Sequence, residues 1–352
     1  MRRYNGGYGK ADQQVMQAVY RHLGRRDKNV IVGPGRGLDN AFIGLENGKV
    51  MVISTDPVSV IPRIGTSKSA WLSVHLIASD VATSGVPPDF AAFSLNLPEE
   101  MGVSQKEEYI SSLGDACKEL NVTVVSGHTG TYPGAGFTVV GGGVMFAFAN
   151  EGDYVDPSMA RVGDRVLMTK GSAIEATASL AWGFPSLTEK KVGRKLFSGA
   201  KSLLDECTVV KDAMIAKSVG LGKEGVSSMH DATEGGVLGA LDEMAHASTK
   251  AFVVDPNSIL VSEETKAVCS AFGIDPLTSL SEGTLLLTCR PGRVNKLRER
   301  MSRSGIRIAE VGIVETGSGL WLSSEGGHRS RFQSQPDGYW AAYNAAVRAG
   351  TE

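Results

Sequence analysis

The stretch Val50-Met-Val-Ile-Ser-Thr-Asp56-Pro57 sets the first constraint on this chain. An apolar, β-rich run that stops at Ser-Thr-Asp-Pro reads as a buried strand carrying a carboxylate to its end. A turn aspartate before Pro57 is the plainer alternative. Three other carboxylates stand in comparable places. Asp39 follows the glycine-rich Gly33-Pro-Gly-Arg-Gly37 turn, and Asp80 ends an amphipathic segment. Asp231 lies in Met229-His-Asp-Ala-Thr-Glu-Gly-Gly236, where it could also cap the following helix.

The segments around these residues alternate between strand and helix periods. Strands are expected at 29–32, 39–44, 49–55, 90–97, 122–126 and 137–148, with Asn47-Gly48 as a hairpin turn. Helices are expected at 12–23, 67–84 and, from a capping box at Ser104–Glu107, to residue 120. A polar, turn-rich stretch at 150–163 precedes a second unit. That unit has a strand ending at Lys170, helices at 173–182, 203–219, 237–245 and 294–304, and strands at 284–289 and 306–314. Mixed α/β, in two domains with a short helical tail, is the expected class. The division is 1–155, 156–330 and 331–352.

Composition narrows the function classes. The 352 residues suffice for two domains, and 42% hydrophobic with 21% charged residues indicates a globular protein. A net charge of −2 gives no nucleic-acid footprint. No apolar run approaches the roughly 20 residues of a membrane helix. The opening residues lack the apolar core of a signal peptide. Cys117, Cys207, Cys269 and Cys289 form no C-x-x-C pair, so reduced thiols in a cytoplasmic protein are expected.

Four carboxylates beside glycines or at element ends suggest a Mg²⁺–nucleotide site. Mg²⁺ takes oxygen ligands and keeps water, so one or two carboxylates plus phosphates suffice. The Gly33–Gly37 turn is neither a Walker A loop nor G-x-G-x-x-G. Lys170 beside Gly171 either reaches a phosphate or is exposed. His128, between Gly127 and Thr129, is a general base, a phosphate donor or a structural histidine.

Six segments, in order, resemble the aminoimidazole ribonucleotide (AIR) synthase superfamily. They are Ser54-Thr-Asp56, Ser79-Asp80-Val-Ala-Thr-Ser-Gly85-Val-Pro87, Gly163-Asp164, Thr169-Lys-Gly171 with Ile174-Glu-Ala-Thr177, Met229–Gly236 and Ser281-Glu-Gly-Thr284. The likeness is greatest to the hydrogenase expression/formation (HypE) branch and covers roughly residues 30–320. It implies a PurM-like architecture: an N-terminal domain whose sheet forms a β-barrel with its twin in a homodimer, and a C-terminal α/β domain. It also implies ATP and Mg²⁺ as cofactors, a small-molecule or amide substrate, and in that branch a maturation-protein partner. Asp39, Asp56, Asp80 and Asp231 match the family's metal-binding aspartates. Gly35, Gly37, Thr55, Ser79, Gly127, Gly171, Glu234 and Gly235 are the expected cofactor-binding positions, and His128 and Lys170 the catalytic ones. Mg-ATP-dependent phosphorylation of a substrate oxygen is the activity the resemblance implies. A hydrogenase maturation factor (carbamoyl dehydration) acting with a partner, a thiamine-monophosphate-kinase-like kinase and nucleotide binding without catalysis are the alternatives.

The sequence departs from the family pattern at three points. Leu38 replaces the first aspartate of Gly-Asp-Asp-Ala, and His128 stands where relatives have Asp or Glu. The HypE branch ends in a reactive cysteine, whereas this sequence ends Arg348-Ala-Gly-Thr-Glu352 with its last cysteine at Cys289. Hydrogenase chemistry through a terminal thiol is therefore not expected.

Overall fold

The computed structural model describes residues 9, 11, 13–324 and 326–350. The expected helix start at Asp12, the opening residues and the terminal Thr351-Glu352 lie outside them.

A short helix, α1 (Gln13–Arg21), precedes the first sheet. That sheet contains β1 (Val30–Val32), β2 (Ala41–Gly44), β3 (Lys49–Ser59), β4 (Phe90–Leu97), β5 (Thr123–Thr131) and β6 (Val139–Asn150), in the order β1-β2-β3-β6-β4-β5. Neighbours run antiparallel except β4 and β5. Asn47 and Gly48 both have positive φ, the backbone an Asn-Gly hairpin turn requires.

Strand β3 is longer than its sequence suggests. It continues through Pro57 to Ser59, so Asp56 lies within the strand and not at its end. The pairing with β2 stops at Ile53, whereas β6 pairs as far as Ser59. One edge of β3 is therefore open beyond Ile53, and an open edge tolerates proline.

Two helices, α2 (Thr66–Thr83) and α3 (Val103–Glu119), cover one face of this sheet over a core that includes Val52, Val74, Ile77, Leu95, Tyr109 and Met145. α3 begins at Val103, one residue before the foreseen capping box. The Gln105 side chain instead accepts from the Gly102 N–H at 3.2 Å. The other sheet face carries Met51, Ile53, Phe90, Phe146 and Phe148, all at least partly exposed. Phe90 stacks on Phe146, which meets Phe148 edge-on.

The second unit contains β7 (Arg165–Thr169), α4 (Ile174–Gly183), α5 (Pro185–Val192), α6 (Arg194–Ser202), α7 (Val210–Lys217), β8 (Val226–Asp231), α8 (Gly236–Ser248), β9 (Ala251–Val254), α9 (Glu263–Phe272), β10 (Leu285–Cys289), α10 (Val294–Arg303), β11 (Ile308–Glu315), β12 (Gly319–Ser323) and β13 (Arg329–Arg331). Its sheet order is β13-β12-β9-β11-β7-β10-β8. β7, β8 and β10 are buried along nearly their whole length, as strands covered on both faces must be. A last helix, α11 (Gly338–Arg348), packs through Tyr339 and Ala346 against the α4 and α9 core.

The single helix expected at 203–219 is broken. A 3₁₀ turn at Leu203–Glu206 is followed by extended residues, and α7 starts only at Val210. The break frees the carbonyls of Glu206 and Thr208 for the Lys170 ammonium.

Helix α2 joins the two units. Its buried residues face all sides, as expected of a helix surrounded by protein. Ala82 packs with Met229 and Ala213 of the second unit, and the Ser79 hydroxyl accepts from the Val209 N–H at 2.9 Å. No helix among the described residues is long and apolar enough to cross a membrane. All four cysteines are free and buried.

Candidate functional site

Alternation along β3 decides which side chains meet. Ser54 and Asp56 point to the α2 side, and Thr55 to the opposite face, where its hydroxyl donates to the Gly143 carbonyl at 2.9 Å. Ser54 donates to Asp80 Oδ2 at 2.7 Å, linking the strand to the last turn of α2. The Asn40 amide donates to the Asp80 carbonyl at 2.7 Å and to Thr83, so the residue after Asp39 is also tied to that turn.

The four aspartates do converge. Burial pushes the Asp80 carboxyl well above the usual range, and Asp231, Asp39 and Asp56 push it further; the Ser54 hydrogen bond opposes them. Asp231 ends the buried strand β8 and does not cap α8, which begins five residues later after the left-handed Gly235. Next to Asp231 on the strand, His230 is 1% exposed. Its Nδ1 lies 2.6 Å from Asp39 Oδ2 and its Nε2 3.1 Å from Glu243 Oε2. Burial works against the charged imidazole, but Asp39 and Glu243 outweigh it and hold the pKa up at about 10.

The glycine turn is fastened to the second unit at the same place. Arg36 forms an ion pair with Asp242 at 2.8 Å. Gly37 has φ +72° and runs so close to α8 that a Cβ would stand 2.7 Å from the Glu243 carbonyl. Gly35 packs on Leu38. Gly37 brings the backbone against α8 two residues before Asp39.

Two buried glutamates extend the cluster. Glu282, 7% exposed, is driven well above the usual range by burial first, then by Asp231, Glu175, Asp80 and Asp56. Its Oε2 is buried without a hydrogen-bond partner. Glu175, in the first turn of α4, is pushed up to about 8 by burial and by Glu234, Asp56 and Asp337. Asp337 reaches back from the head of α11 and accepts from the Gly235 N–H at 3.0 Å. Hard oxygen donors with an orphaned buried carboxylate oxygen fit a divalent cation such as Mg²⁺.

Other expected positions have different surroundings. Lys170 is neither exposed nor open to solvent. Its ammonium donates to the carbonyls of Glu206, Thr208 and Gly283 and pairs with Asp212 Oδ2 at 3.1 Å. Gly171 accepts from the Thr284 hydroxyl. Ser79 is committed to Val209. Gly127 lets β5 approach β4, where a Cβ would stand 2.9 Å from the Phe93 carbonyl. His128 lies on the exposed edge strand with Tyr132 Oη 2.5 Å from Nε2. In register it is three strands from Pro57, through Ser94 and Gly142, or about 14 Å at about 4.8 Å per strand. Within one chain it stands apart from the aspartates.

Glu282, Glu175, His230 and Glu243 were not singled out from sequence. The first three lie inside the recognised segments, but nothing local marks them as facing Asp231 or Asp56.

Comparison with known proteins gives this geometry a family. The AIR synthase related protein, N-terminal domain, matches residues 37–163, and the corresponding C-terminal domain matches residues 161–322. The "Carbamoyl dehydratase HypE" of Cupriavidus necator is 27% identical over 318 residues, which cover 87% of this chain and 84% of that protein. Among solved structures, one titled "Crystal structure of HypE-HypF complex" has a TM-score of 0.71 at 18% identity, covering 92% of this chain and 100% of the other. Another, "AaThiL complexed with AMPPCP and TMP", has a TM-score of 0.68 at 19% identity, covering 90% and 96%. These likenesses agree with a mixed α/β fold of two PurM-like domains in this chain. The chain belongs to the AIR synthase related family.

Proposed function

We propose that this protein uses Mg-ATP to phosphorylate, and so activate, an oxygen of a small-molecule or amide substrate. One observation carries the reading: Asp39, Asp56, Asp80, Asp231 and Glu282, from five separate segments, gather in a buried cluster. There burial and then Asp231, Asp39 and Asp56 push the Asp80 carboxyl up, and burial and then Asp231, Glu175, Asp80 and Asp56 push Glu282 up. Phosphoryl transfer needs mainly positioning and charge neutralisation, and Mg²⁺ bridging carboxylates and phosphates supplies both. In this reading Asp39, Asp56, Asp80 and Asp231 hold the ion. Gly35, Gly37, Glu234 and Gly235 border the nucleotide, and Lys170 braces the 206–212 segment and Gly283. The AaThiL complex with AMPPCP supports the nucleotide.

The likeness to carbamoyl dehydratase HypE and to the HypE–HypF complex supports a maturation-protein partner as a second reading. The partly exposed aromatic face of the first sheet supports a homodimer in which two such faces close a barrel. Domains at 1–155 and 156–330, a tail at 331–352 and a cytoplasmic setting complete the proposal.

Isothermal titration with Mg-ATP tests it. The wild type is expected to bind, and Asp56→Ala to bind at least about tenfold more weakly, as for loss of a charged ligand. No binding, or binding that Asp56→Ala leaves unchanged, sinks the proposal.

A further inference from the structure

His230 brings a nitrogen donor into a cluster otherwise made of oxygens. Asp39, His230 and Asp231 each offer one ligand atom, and those atoms lie within 4.8 Å of one another. Nδ1 is 2.6 Å from Asp39 Oδ2 and 3.9 Å from Asp231 Oδ1. Donors bound to one ion at about 2.1 Å stand roughly 3 to 3.5 Å apart. The two observed distances bracket that value, so small side-chain rotations suffice.

The far nitrogen is already oriented. Nε2 faces Glu243 Oε2 at 3.1 Å. A carboxylate on the far nitrogen is the usual device that fixes the tautomer and aims the near nitrogen at a metal. A separate observation points to positive charge at this place. Glu282 is 7% exposed and its Oε2 has no hydrogen-bond partner, and its loop is held beside Asp231: the Ser281 N–H donates to the Thr233 carbonyl and the Ala232 N–H to the Thr284 carbonyl. A buried carboxylate left in this state calls for a cation beside it.

We propose that Asp39, His230 and Asp231 form a transition-metal site, with Glu243 orienting the imidazole, and that this position prefers Zn²⁺ or Co²⁺ to Mg²⁺. The inference rests on the reading above in one respect, that Asp39 and Asp231 are metal ligands. It departs from it in the class of ion. Imidazole suits zinc and its neighbours in the first transition row, whereas Mg²⁺ favours oxygen and water. The ion replaces the hydrogen bond between Nδ1 and Asp39, whose proton leaves to solvent. The Asp39 side chain, 13% exposed, opens the site to solvent, while those of His230 and Asp231 are at 1% and 0%. Two ligands come from β8 and one from the glycine turn, so an ion here also pins that turn to the second unit.

The test uses the untagged full-length chain, stripped with a chelator and titrated without nucleotide. Calorimetry and visible absorption follow Co²⁺ and Mg²⁺ separately. One equivalent of Co²⁺ is expected to bind at least about tenfold more tightly than Mg²⁺, with d–d bands, and Glu243→Gln to weaken Co²⁺ about tenfold. His230→Ala is expected to abolish the preference. Equal affinity for the two ions, or a preference that survives in His230→Ala, overturns the proposal. Should His230→Ala fail to fold, X-ray absorption of the Zn²⁺-loaded wild type decides. Imidazole scattering supports the site and an all-oxygen shell overturns it. Mg-ATP binding measured in parallel separates the two readings. Mg-ATP binding without a Co²⁺ preference overturns the transition-metal site alone. A Co²⁺ preference without Mg-ATP binding upholds the site and removes the nucleotide.

Discussion

Glu175→Gln is expected to stabilise the metal-free protein, and to do so more strongly as pH rises. Glu175 is 8% exposed, and its carboxyl is pushed from an ordinary 4.5 up to about 8, first by burial and then by Glu234, Asp56 and Asp337. Between those values the folded protein holds a proton that the unfolded chain has released. Folding stability therefore falls as pH rises through the window from 4.5 to 8, and the loss is complete above it. The gap of about 3.5 pH units corresponds to about 5 kcal/mol at about 1.4 kcal/mol per unit, and to about 3 kcal/mol at pH 7. Because neighbouring carboxylates titrate together, removing one recovers only part of that sum. A gain of about 2 kcal/mol at pH 7.5 is the expected result. Urea unfolding in chelator at pH 5, 7 and 8.5 reads it directly. The two proteins should converge near pH 5 and diverge above. Parallel pH curves, or a glutamine variant that is the less stable at pH 8.5, would refute the burial-and-repulsion account.

Three further outcomes follow from the geometry. Lys170→Met removes the donor to three carbonyls and strands the 1%-exposed Asp212 carboxylate, so unfolding free energy should fall by about 3–5 kcal/mol. The Lys170→Met/Asp212→Asn pair should fall by less than the two single losses combined, as a double-mutant cycle in urea will show. Gly37→Ala meets the Glu243 carbonyl from a positive φ and should cost about 1–3 kcal/mol in thermal unfolding. Its affinity for Mg-ATP should drop as well, because Asp39 moves with the turn. Phe148→Asp, at an exposed aromatic on the open sheet face, should shift sedimentation toward the monomer while leaving the melting temperature of the fold nearly unchanged.

The sequence foreshadowed the site more fully at some positions than at others. Asp39, Asp56, Asp80 and Asp231 were visible because each stands beside a local signal, a glycine turn, a strand or a helix end. Their convergence is seen at Asp80, whose carboxyl is pushed up by burial and then by Asp231, Asp39 and Asp56. Thr55 illustrates the limit: strand period puts it opposite Asp56, yet its proximity in sequence made it look like a partner. Lys170 could not be read locally at all. Its acceptors lie 36, 38 and 113 residues away, and two of them exist only because the helix expected at 203–219 breaks. His230 shares a like difficulty, since its partner Asp39 lies 191 residues away. The strand and helix order of both units was legible from apolar periods. The extensions of β3 and β5 were not, because pairing with β6 and β4 carries them through residues that, read alone, signal turns.

The run Gly141-Gly142-Gly143 in β6 lies opposite Val58, Pro57 and Asp56. At Gly143 a Cβ would stand only 2.4 Å from Ile77 Cδ1. Helix α2 thus rests directly on bare backbone at the one level where β3 presents its carboxylate. This missing side chain acts as a spacer of zero thickness. A single methyl at 143 would press on the Ile77 side chain of α2 and on the Phe93 ring, and these would have to shift to admit it. The closeness of α2 to β3 beside Asp56 thus depends on a residue that bears no charge.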